Sequence, residues 1–338
     1  MSDRVTEARQ SNETQARLEV ASVRSAADRI GENVGRVIVG KDEVTRLLLV
    51  ALFAEGHVLL EDVPGVGKTM FAKTLARSLD LTFQRIQFTP DLLPSDVTGL
   101  SYFNQKAQEF QFRAGPVFAN ILLADEINRA TPRTQSALLE AMEERQVTVD
   151  GDTRRLPRPF LVLATDNPIV LEGTFPLPEA QLDRCLMRVG IGYPSREEER
   201  LIVRRFQLAN PLDDLEPVLS SADLPSLVRA CRGVHVSPPV EEYLVDLVRA
   251  TRETREVTLG ASPRATLALF RASQALAAIS GRDYVLPDDV KLLARPVLTH
   301  RLLFVSPSRG RSGDRPDPIG SALERVPVPA EDVSPAGR

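Results

Sequence analysis

Apolar and polar positions along the chain follow two kinds of pattern. Short, continuous apolar runs predict strands that are buried on both faces, and strict alternation predicts a strand that is half buried. The apolar runs cover residues 58–60, 120–124 and 160–165, the alternation covers 81–87, and a further strand is predicted at 186–191. Helical spacing of apolar residues precedes the first strand, at residues 18–37 and 42–52. Strands that alternate with helices predict an α/β domain with a parallel sheet.

Two further stretches predict hairpins inserted into this domain. Aromatic residues flank a polar centre between residues 100 and 113. The dipeptide Asp150-Gly151 is a strong turn signal inside the second stretch, residues 147–156. Two aromatic residues of the first hairpin, Tyr102 and Phe103, are candidates either to grip a protein client or to pack in the core.

The pattern changes at residue 195, after which only helices are predicted. They cover residues 196–207, 224–232, 239–251, 263–279 and 287–302. We therefore place a domain boundary near the tripeptide Tyr193-Pro194-Ser195. The amino-terminal residues are polar and the carboxyl-terminal residues are rich in proline and glycine, which predicts disorder in both. The predicted domains are 1–14 (disordered), 15–194 (α/β), 195–304 (all-helical) and 305–338 (disordered).

Composition and charge narrow the function classes. Of the 338 residues, 43% are hydrophobic and 26% are charged, as in ordinary soluble globular proteins. The net charge of −4 gives no general attraction to nucleic acid or to anionic lipid, so we expect neither as a partner. Cys185 and Cys231 are too few for a disulfide framework and lack the spacing of a zinc site. Because we find neither a signal peptide nor a membrane-spanning apolar segment, we expect a cytoplasmic protein.

A glycine-bearing turn joins the first buried strand to the following helix, and its residue types indicate phosphate binding. Backbone N–H groups at the start of such a helix attract phosphate oxygens, and Gly65 and Gly67 allow the backbone to wrap around them. Lys68 can reach the β- and γ-phosphates, and the Thr69 hydroxyl can bind Mg²⁺. Asp62 departs from the pattern G-x-x-x-x-G-K-[ST], because it stands in place of the first glycine. The predicted nucleotide-binding residues of this loop and helix are Pro64, Gly65, Val66, Gly67, Lys68, Thr69 and Met70.

Polar residues also follow two later strands. Asp125 and Glu126 end the apolar run from residue 120, where two adjacent acids imply a metal ion or a charged ligand. At this distance after a phosphate-binding loop, Asp125 is predicted to hold Mg²⁺, as such residues often do through water, and Glu126 to polarise the water that attacks the γ-phosphate. Asn167 lies just beyond the strand at 160–165 and can hydrogen-bond the γ-phosphate or that water. The predicted ligands are therefore a nucleoside triphosphate and Mg²⁺.

Several strings occur in a fixed order along the chain: Ile38-Val39-Gly40, Val63–Thr69, Asp125–Ala130, Gln135–Met142, Glu172–Arg184 and Gly260–Arg264. Together they resemble the AAA+ ATPases and, within them, the MoxR family. The resemblance extends over about residues 20–303 and leaves both tails outside. It implies an AAA+ P-loop NTPase core, in which helices flank a parallel sheet with hairpin inserts, followed by an all-α lid.

The resemblance also implies roles for residues that carry little signal by themselves. Val39 and Gly40 would line the adenine pocket, and Asn167 would be the sensor of the γ-phosphate. Arg264, at the start of a lid helix, would contact the nucleotide of its own subunit. Arg184 would be the arginine finger, which reaches the nucleotide of a neighbouring subunit.

Two positions depart from the family pattern. The family usually has an aromatic residue after the finger arginine and glutamine before the sensor asparagine, where this chain has Cys185 and Asp166. Arg188 is therefore an alternative to Arg184 as the finger. The effect of Asp166, and of Asp62, on turnover is left open.

The hypothesis that follows is ATP hydrolysis at the subunit interfaces of a homo-oligomeric ring, for which we expect a hexamer. Rotation of the lid would convert nucleotide state into mechanical work. MoxR-like proteins resemble chaperones that assist assembly, maturation or metal insertion, so the implied partners are a client complex and a von Willebrand factor A domain protein. Alternatives are a chelatase-type motor, a nucleic-acid motor and a nucleotide-gated scaffold with negligible turnover. The acidic hairpin tip at Asp150-Gly151-Asp152 disfavours the nucleic-acid motor.

Overall fold

The computed structural model describes residues 2–61, 65–166, 175, 177–254, 257–304 and 317–330, with side chains from residue 17 onward apart from 179 and 180. These residues form two compact units. The sheet unit comprises Asp28–Cys185 and Val189–Leu224, and the helical unit comprises the residues up to Ala27, Leu186–Arg188 and the described residues from Pro225 onward. Residues 195–224 therefore group with the sheet, although the sequence predicted that they would begin the helical domain.

The strands and helices largely follow the predicted pattern. In chain order the described strands are β1 His57–Glu61, β2 Phe83–Gln87, β3 Gly99–Asn104, β4 Glu109–Ala114, β5 Ile121–Asp125, β6 Gln146–Val149, β7 Asp152–Arg155, β8 Leu161–Asp166, β9 Cys185–Val189, β10 Val257–Leu259 and β11 Leu303–Phe304. The described helices are α1 Ser2–Gly35, α2 Asp42–Phe53, α3 Lys68–Ser78, α4 Pro94–Thr98, α5 Pro132–Glu144, α6 Glu179–Leu182, α7 Arg196–Arg205, α8 Leu224–Arg232, α9 Pro238–Ala250, α10 Pro263–Ile279, α11 Pro287–Leu298 and α12 Pro318–Arg325. Among these helices, none combines the length and the apolar character needed to cross a membrane.

The main sheet has the strand order β2-β5-β8-β1-β9. Parallel pairing joins β2 to β5, β5 to β8, and β8 to β1. All of β5 is buried, as expected for a strand with neighbours on both sides and helices on both faces. The predicted α/β fold class is therefore confirmed.

The strand registers define two edges of this sheet. Gln87 lies opposite Asp125 and Glu61 lies opposite Asp166, so these strands finish along one line, which we call the carboxyl edge. β9 ends at the same edge, because Gly190, the residue after it, lies beside the carbonyl oxygen of Glu61. We call the opposite line, where the strands begin, the amino edge.

Helix α5 packs on one face of the sheet and holds its strands in place. Alternate residues of β1, β5 and β8 meet the apolar face of this helix, as period-two and helical spacing require. The buried cluster includes Leu59, Leu122, Ala124, Val162, Ala164, Leu138, Leu139 and Met142. This packing fixes the strand ends that carry the polar residues discussed below.

Both predicted hairpins are confirmed. In the β3–β4 hairpin Phe103 lies opposite Phe110, and their rings pack edge to face with centroids 5.3 Å apart. Tyr102 and Phe103 are 43% and 48% exposed, so neither of these side chains is buried in the core. The β6–β7 hairpin turns at Asp150 and Gly151, whose φ angles of 54° and 88° fit the two-residue turn that Asp-Gly favours.

The two ends of the chain contain helices where the sequence predicted disorder. α1 begins at Ser2 rather than near residue 15, because residues 2–14 contain neither proline nor glycine and include good helix formers. Of residues 305–338, which were predicted to be disordered, the structure describes 317–330. There α12 buries Ile319 and Ala322, and Asp317 at its start pairs with Arg295 of α11. The helical unit is confirmed, and it also contains the short antiparallel pair β10–β11.

Candidate nucleotide-binding site

The described part of the phosphate loop has the backbone that phosphate binding requires. Gly65 and Gly67 have φ angles of 87° and 93°, which residues with a Cβ rarely adopt. Gly67 also precedes the first residue of α3, where no side chain caps the helix. Amide groups at this helix start are thus available to an anion, and no acidic residue lies in the first turn. Pro64, together with Asp62 and Val63, lies outside the described residues.

The topology brings the predicted acids to the same edge as this loop. β1 leads into the loop, and β5 ends in Asp125, separated from β1 only by β8. Glu126 follows in a left-handed conformation, with φ 54° and ψ 52°, which turns the chain sharply at the edge. Asp166 ends β8 opposite Glu61. Asn167, the predicted sensor, lies outside the described residues.

Asp125 is almost fully buried and has a partner at each carboxylate oxygen. Its Oδ2 atom accepts a hydrogen bond from Nε of Arg85 at 2.6 Å, which is also an ion pair. Its Oδ1 atom accepts from the hydroxyl of Thr165 at 3.1 Å. The same hydroxyl accepts from the backbone N–H of Glu126 at 2.8 Å. Thr165 therefore fixes the two acids relative to each other.

The Glu126 carboxylate is held by two different side chains. Gln87 at the end of β2 donates to its Oε2 atom at 2.9 Å, and Arg129 donates to the same atom at 3.0 Å. Gln87 in turn accepts a hydrogen bond from Arg85 at 3.1 Å. These contacts link Arg85 of β2 to both acids.

Sequence reasoning missed Arg85, Gln87, Thr165 and Arg129. Arg85 and Gln87 are two residues apart on β2, so both side chains point to the same side of the strand. That spacing was visible in the sequence. Their place beside Asp125 depended on β2 pairing with β5, which no local pattern reveals.

The donor set fits a magnesium ion that is shared with a nucleotide. No group of three or more His, Cys, Asp or Glu residues is assembled for a metal in the described part of the chain. Mg²⁺ bound with a nucleotide needs only one or two protein oxygens, because phosphates and water supply the rest. Asp125 offers a carboxylate that already binds a cationic group, and Thr69 offers a hydroxyl in the first turn of α3. These two residues would hold the ion.

Val39 and Gly40 also belong to the carboxyl edge. α2 begins just after them and ends three residues before β1, so it runs back along the strand and its start lies near the strand's end. Gly40 has a φ of 68°, and a Cβ built there would overlap the Glu198 carboxylate. Lys41 donates a hydrogen bond from Nζ to the carbonyl oxygen of Tyr193 at 3.1 Å. Residues 190–198 thus pass from the end of β1 to the Gly40 loop.

Arg184 lies at the amino edge, not beside the phosphate loop. Its Nε atom pairs with Glu143 at 2.9 Å, near the end of α5. The preceding residue, Met142, offers its carbonyl oxygen at 3.0 Å to Nε2 of His57, the first residue of β1. β1 has 5 residues and so spans ~16 Å. About this distance separates Arg184, at the amino edge, from the phosphate loop of its own chain at the carboxyl edge.

The other two predicted arginines have different settings. Arg188 is half buried in β9, and this burial lowers the pKa of its guanidinium. Arg264 is exposed in the first turn of α10, in the helical unit. Neither setting by itself assigns a role.

Comparison with known proteins places these features in a family. Residues 57–187 match the model of the ATPase family associated with various cellular activities (AAA), and residues 249–319 match that of the AAA lid domain. The chain is 45% identical to Chaperone MoxR1 of Mycobacterium tuberculosis, over 89% of this chain and 82% of that protein. It is 54% identical to the uncharacterized protein YeaC of Bacillus subtilis, over 81% and 85% of the two chains. The crystal structure of a Cytophaga hutchinsonii protein proposed to be an ATPase superposes with a TM-score of 0.87 at 39% identity, covering 94% of this chain and 99% of that one.

Proposed function

We propose that this chain, which belongs to the MoxR family of AAA+ ATPases, binds ATP with Mg²⁺ and hydrolyses it between the subunits of a homo-oligomeric ring. One observation carries the proposal. The uncapped start of α3 after Gly67, the buried carboxylate of Asp125 and the adjacent Glu126 share one edge of one parallel sheet. Phosphate binding, metal binding and water activation need this combination of groups at short range.

Each group has a distinct part in the proposed reaction. Mg²⁺, when bound by Thr69 and Asp125, would neutralise charge on the β- and γ-phosphate oxygens. Lys68 and the amides at the start of α3 bind the same phosphates. Glu126 accepts a proton from water as the water oxygen bonds to the γ-phosphorus and the bond to the ADP oxygen breaks.

The remaining predicted residues complete this site in the proposal. Val39 and Gly40 line the adenine pocket, which their place at the carboxyl edge supports. Asn167 reads the γ-phosphate from the residue after β8. Arg264 contacts the nucleotide through the first turn of α10.

The place of Arg184 supports action between subunits. An arginine at the amino edge is too far from the phosphate loop of its own subunit to touch the γ-phosphate there. The nucleotide that it contacts is therefore that of a neighbouring subunit. Because one subunit must present this edge to the next, the contact between subunits is head to tail, and we propose that it closes into a ring of six subunits. Arg188 is the alternative finger residue.

The work done with the nucleotide is proposed to be chaperone-like. The name of the M. tuberculosis relative supports this class of activity. The proposed partners are a protein complex undergoing assembly, maturation or metal insertion and a von Willebrand factor A domain protein. Phe103 and Phe110 of the exposed β3–β4 hairpin are candidates for contact with that client.

The substitution Glu126→Gln tests the proposal, because it keeps the shape of the side chain but removes the proton acceptor. We expect phosphate release to fall by about 10²- to 10⁴-fold, with ATP affinity changed only a few-fold. Glu140→Gln is the matched control, since it makes the same change at an exposed position of α5. The trapped ATP state should also co-purify with a client, whereas Lys68→Ala should not.

Equal rates of phosphate release by wild type and Glu126→Gln would contradict the proposed ATPase activity. They would favour a nucleotide-gated scaffold with negligible turnover. Strong stimulation of wild-type ATPase by DNA at low salt would favour a nucleic-acid motor. A metal-chelated porphyrin product formed with the co-purifying partner would point to a chelatase-type motor.

A further inference from the structure

The ion pair between Arg85 and Asp125 lies where the proposed metal ion would bind. The guanidinium Nε atom is 2.6 Å from Oδ2 of Asp125, and Thr165 takes the other oxygen. Both carboxylate oxygens therefore already have protein donors. Each oxygen keeps a second lone pair. A cation that binds directly to Asp125 nevertheless meets the like charge of the Arg85 guanidinium at this carboxylate, so the two cations compete.

Arg85 is the partner that can move. Its side chain is 48% exposed on β2, the edge strand of the sheet, whereas that of Asp125 is 12% exposed. Thr165 is buried, and its hydroxyl also accepts from the amide of Glu126, so it is fixed by two contacts. Displacing Arg85 moves a long, solvent-facing side chain, whereas displacing Thr165 would disturb the buried centre of the sheet.

The charge of Asp125 explains why such a partner is needed. A buried carboxylate without a cation is costly, because burial removes the water that stabilises its charge. Arg85 supplies that cation in the absence of metal. The pair is short, so its loss has to be offset by an equally good cation.

We propose that Arg85 is the counter-ion of Asp125 in the nucleotide-free protein and that it leaves Asp125 when Mg²⁺ binds with nucleotide. This inference rests on the proposed Mg²⁺–ATP binding. Arg85 and Mg²⁺ are competitors for one carboxylate, and the competition sets how much free Mg²⁺ is needed to load the site. Asp125 is never left as an isolated buried charge.

The exchange also reaches Glu126. Arg85 donates to Gln87, and Gln87 donates to Oε2 of Glu126. When Arg85 leaves Asp125, its hydrogen bond to Gln87 changes as well. Metal loading at one acid is thereby communicated to the other through two side chains of β2.

The test measures binding rather than turnover. Binding of a fluorescent ATP analogue is titrated with free Mg²⁺ for wild type and for Arg85→Gln. We expect the Mg²⁺ concentration for half-maximal binding to fall about fivefold or more in the variant, the range typical of coupled binding events. Arg113→Gln, at an exposed arginine of the β3–β4 hairpin, is the matched control and should leave the midpoint unchanged.

The double variant Arg85→Gln with Asp125→Asn separates direct competition from a general change in charge. If the ion pair is responsible, Arg85→Gln should have no effect on the Mg²⁺ midpoint in the Asp125→Asn background. A shift that persists there would overturn the proposal, because it would arise from the field of the arginine rather than from this contact. If Arg85→Gln fails to fold, Arg85→Lys takes its place, because lysine keeps the charge but changes the geometry. We expect it to shift the Mg²⁺ midpoint in the same direction by a smaller factor.

Two other results would also contradict the inference. An unchanged or higher Mg²⁺ midpoint in Arg85→Gln would show that Arg85 does not compete with the metal. Loss of nucleotide binding at every Mg²⁺ concentration in this variant alone would mean that Arg85 binds the phosphates directly. Absence of binding in the wild type would instead overturn the proposed function and, with it, this inference.

Discussion

The two edges of the main sheet use polar side chains in opposite ways. At the amino edge, His57 accepts a hydrogen bond from the N–H of Val162 and donates one to the carbonyl oxygen of Met142, both 3.0 Å long. This histidine is fully buried, and burial lowers its pKa to about 4, so it is neutral. At the carboxyl edge, the acidic side chains of Asp125 and Glu126 each pair with an arginine that reaches the solvent, Arg85 and Arg129.

The difference teaches where this molecule can exchange partners. A neutral group with fixed backbone partners gains nothing by moving, because each donor and acceptor is already matched. A carboxylate held by an arginine can release it for another cation at little net cost. α3 also starts at the carboxyl edge, where its dipole favours anions. We therefore expect substitutions at the carboxyl edge to change binding and those at the amino edge to change stability.

Arg184 is the strongest exception to this expectation, because it lies at the amino edge but is proposed to be catalytic. We expect Arg184→Ala to lower ATPase activity of the assembled protein by about 10³-fold or more, because an arginine finger stabilises charge in the transition state. Nucleotide affinity and the thermal unfolding temperature should change little. ATPase assays and size-exclusion chromatography measure these effects.

A mixing experiment decides whether Arg184 acts between subunits. Lys68→Ala subunits lack nucleotide binding but keep the arginine, and Arg184→Ala subunits have the reverse defect. Mixed assemblies should regain part of the ATPase activity, because each type supplies what its neighbour lacks. No recovery in assemblies shown to be mixed would place Arg184 in its own subunit's chemistry or outside catalysis. In the latter case, Arg188→Ala should produce the large loss.

The carboxyl edge was only partly predictable from sequence. The Gly65–Thr69 loop and the acids at 125 and 126 follow apolar runs directly, so local pattern located them. Arg85 and Gln87 lie on the edge strand, about 40 residues before the acids they contact. Their role depended on which strands are neighbours, and many strand orders satisfy the same apolar pattern.

The chain ends show a different limit of sequence reasoning. The segment before residue 15 lacks apolar periodicity, which predicted disorder, but its helix propensity continues α1 to Ser2. The segment after residue 305 is rich in proline, yet Pro318 occupies the first turn of α12, where proline is well tolerated. Ile319 and Ala322 then become buried. The average composition of this segment therefore gave no indication of α12, a short helix with buried apolar residues.

The second prediction sharpens the comparison at the amino edge and concerns stability. Between pH 6.5 and 4 the unfolded state binds a proton at His57 that the folded state does not, because the folded pKa is lowered to about 4. Stability is therefore present above pH 6.5 and is lost as the pH falls through this window. We expect His57 to contribute a loss of up to about 3 kcal/mol in the free energy of unfolding by pH 4.

His57→Gln provides the reference, because glutamine does not titrate. Denaturant unfolding at several pH values should show wild type losing stability relative to this variant as the pH falls, with parallel behaviour above pH 7. ATP affinity of the variant at pH 7.5 should match that of wild type. A constant difference across the whole pH range would mean that the folded protein does not hold His57 neutral.

The smallest expected effect concerns Gly40, where the carboxyl edge has a close, fixed contact of the kind found at the amino edge. Gly40→Ala places a side chain at a φ of 68° and into the Glu198 carboxylate. The left-handed backbone alone should cost about 1–2 kcal/mol in the free energy of unfolding. Because Gly40 is proposed to line the adenine pocket, ATP affinity should weaken in parallel. Denaturant unfolding and equilibrium binding of a fluorescent ATP analogue measure the two effects.

Gly31→Ala is the matched control for this substitution. Gly31 lies in α1 with open space around its α-carbon, so alanine there should raise stability by about 0.5–1 kcal/mol and leave binding unchanged. Adding Glu198→Ala to Gly40→Ala should recover the part of the loss that comes from overlap but not the part that comes from φ. If Gly40→Ala is as stable as wild type and binds ATP equally well, the contact between residues 190–198 and this loop is loose. The carboxyl edge would then consist of exchangeable contacts throughout, unlike the amino edge.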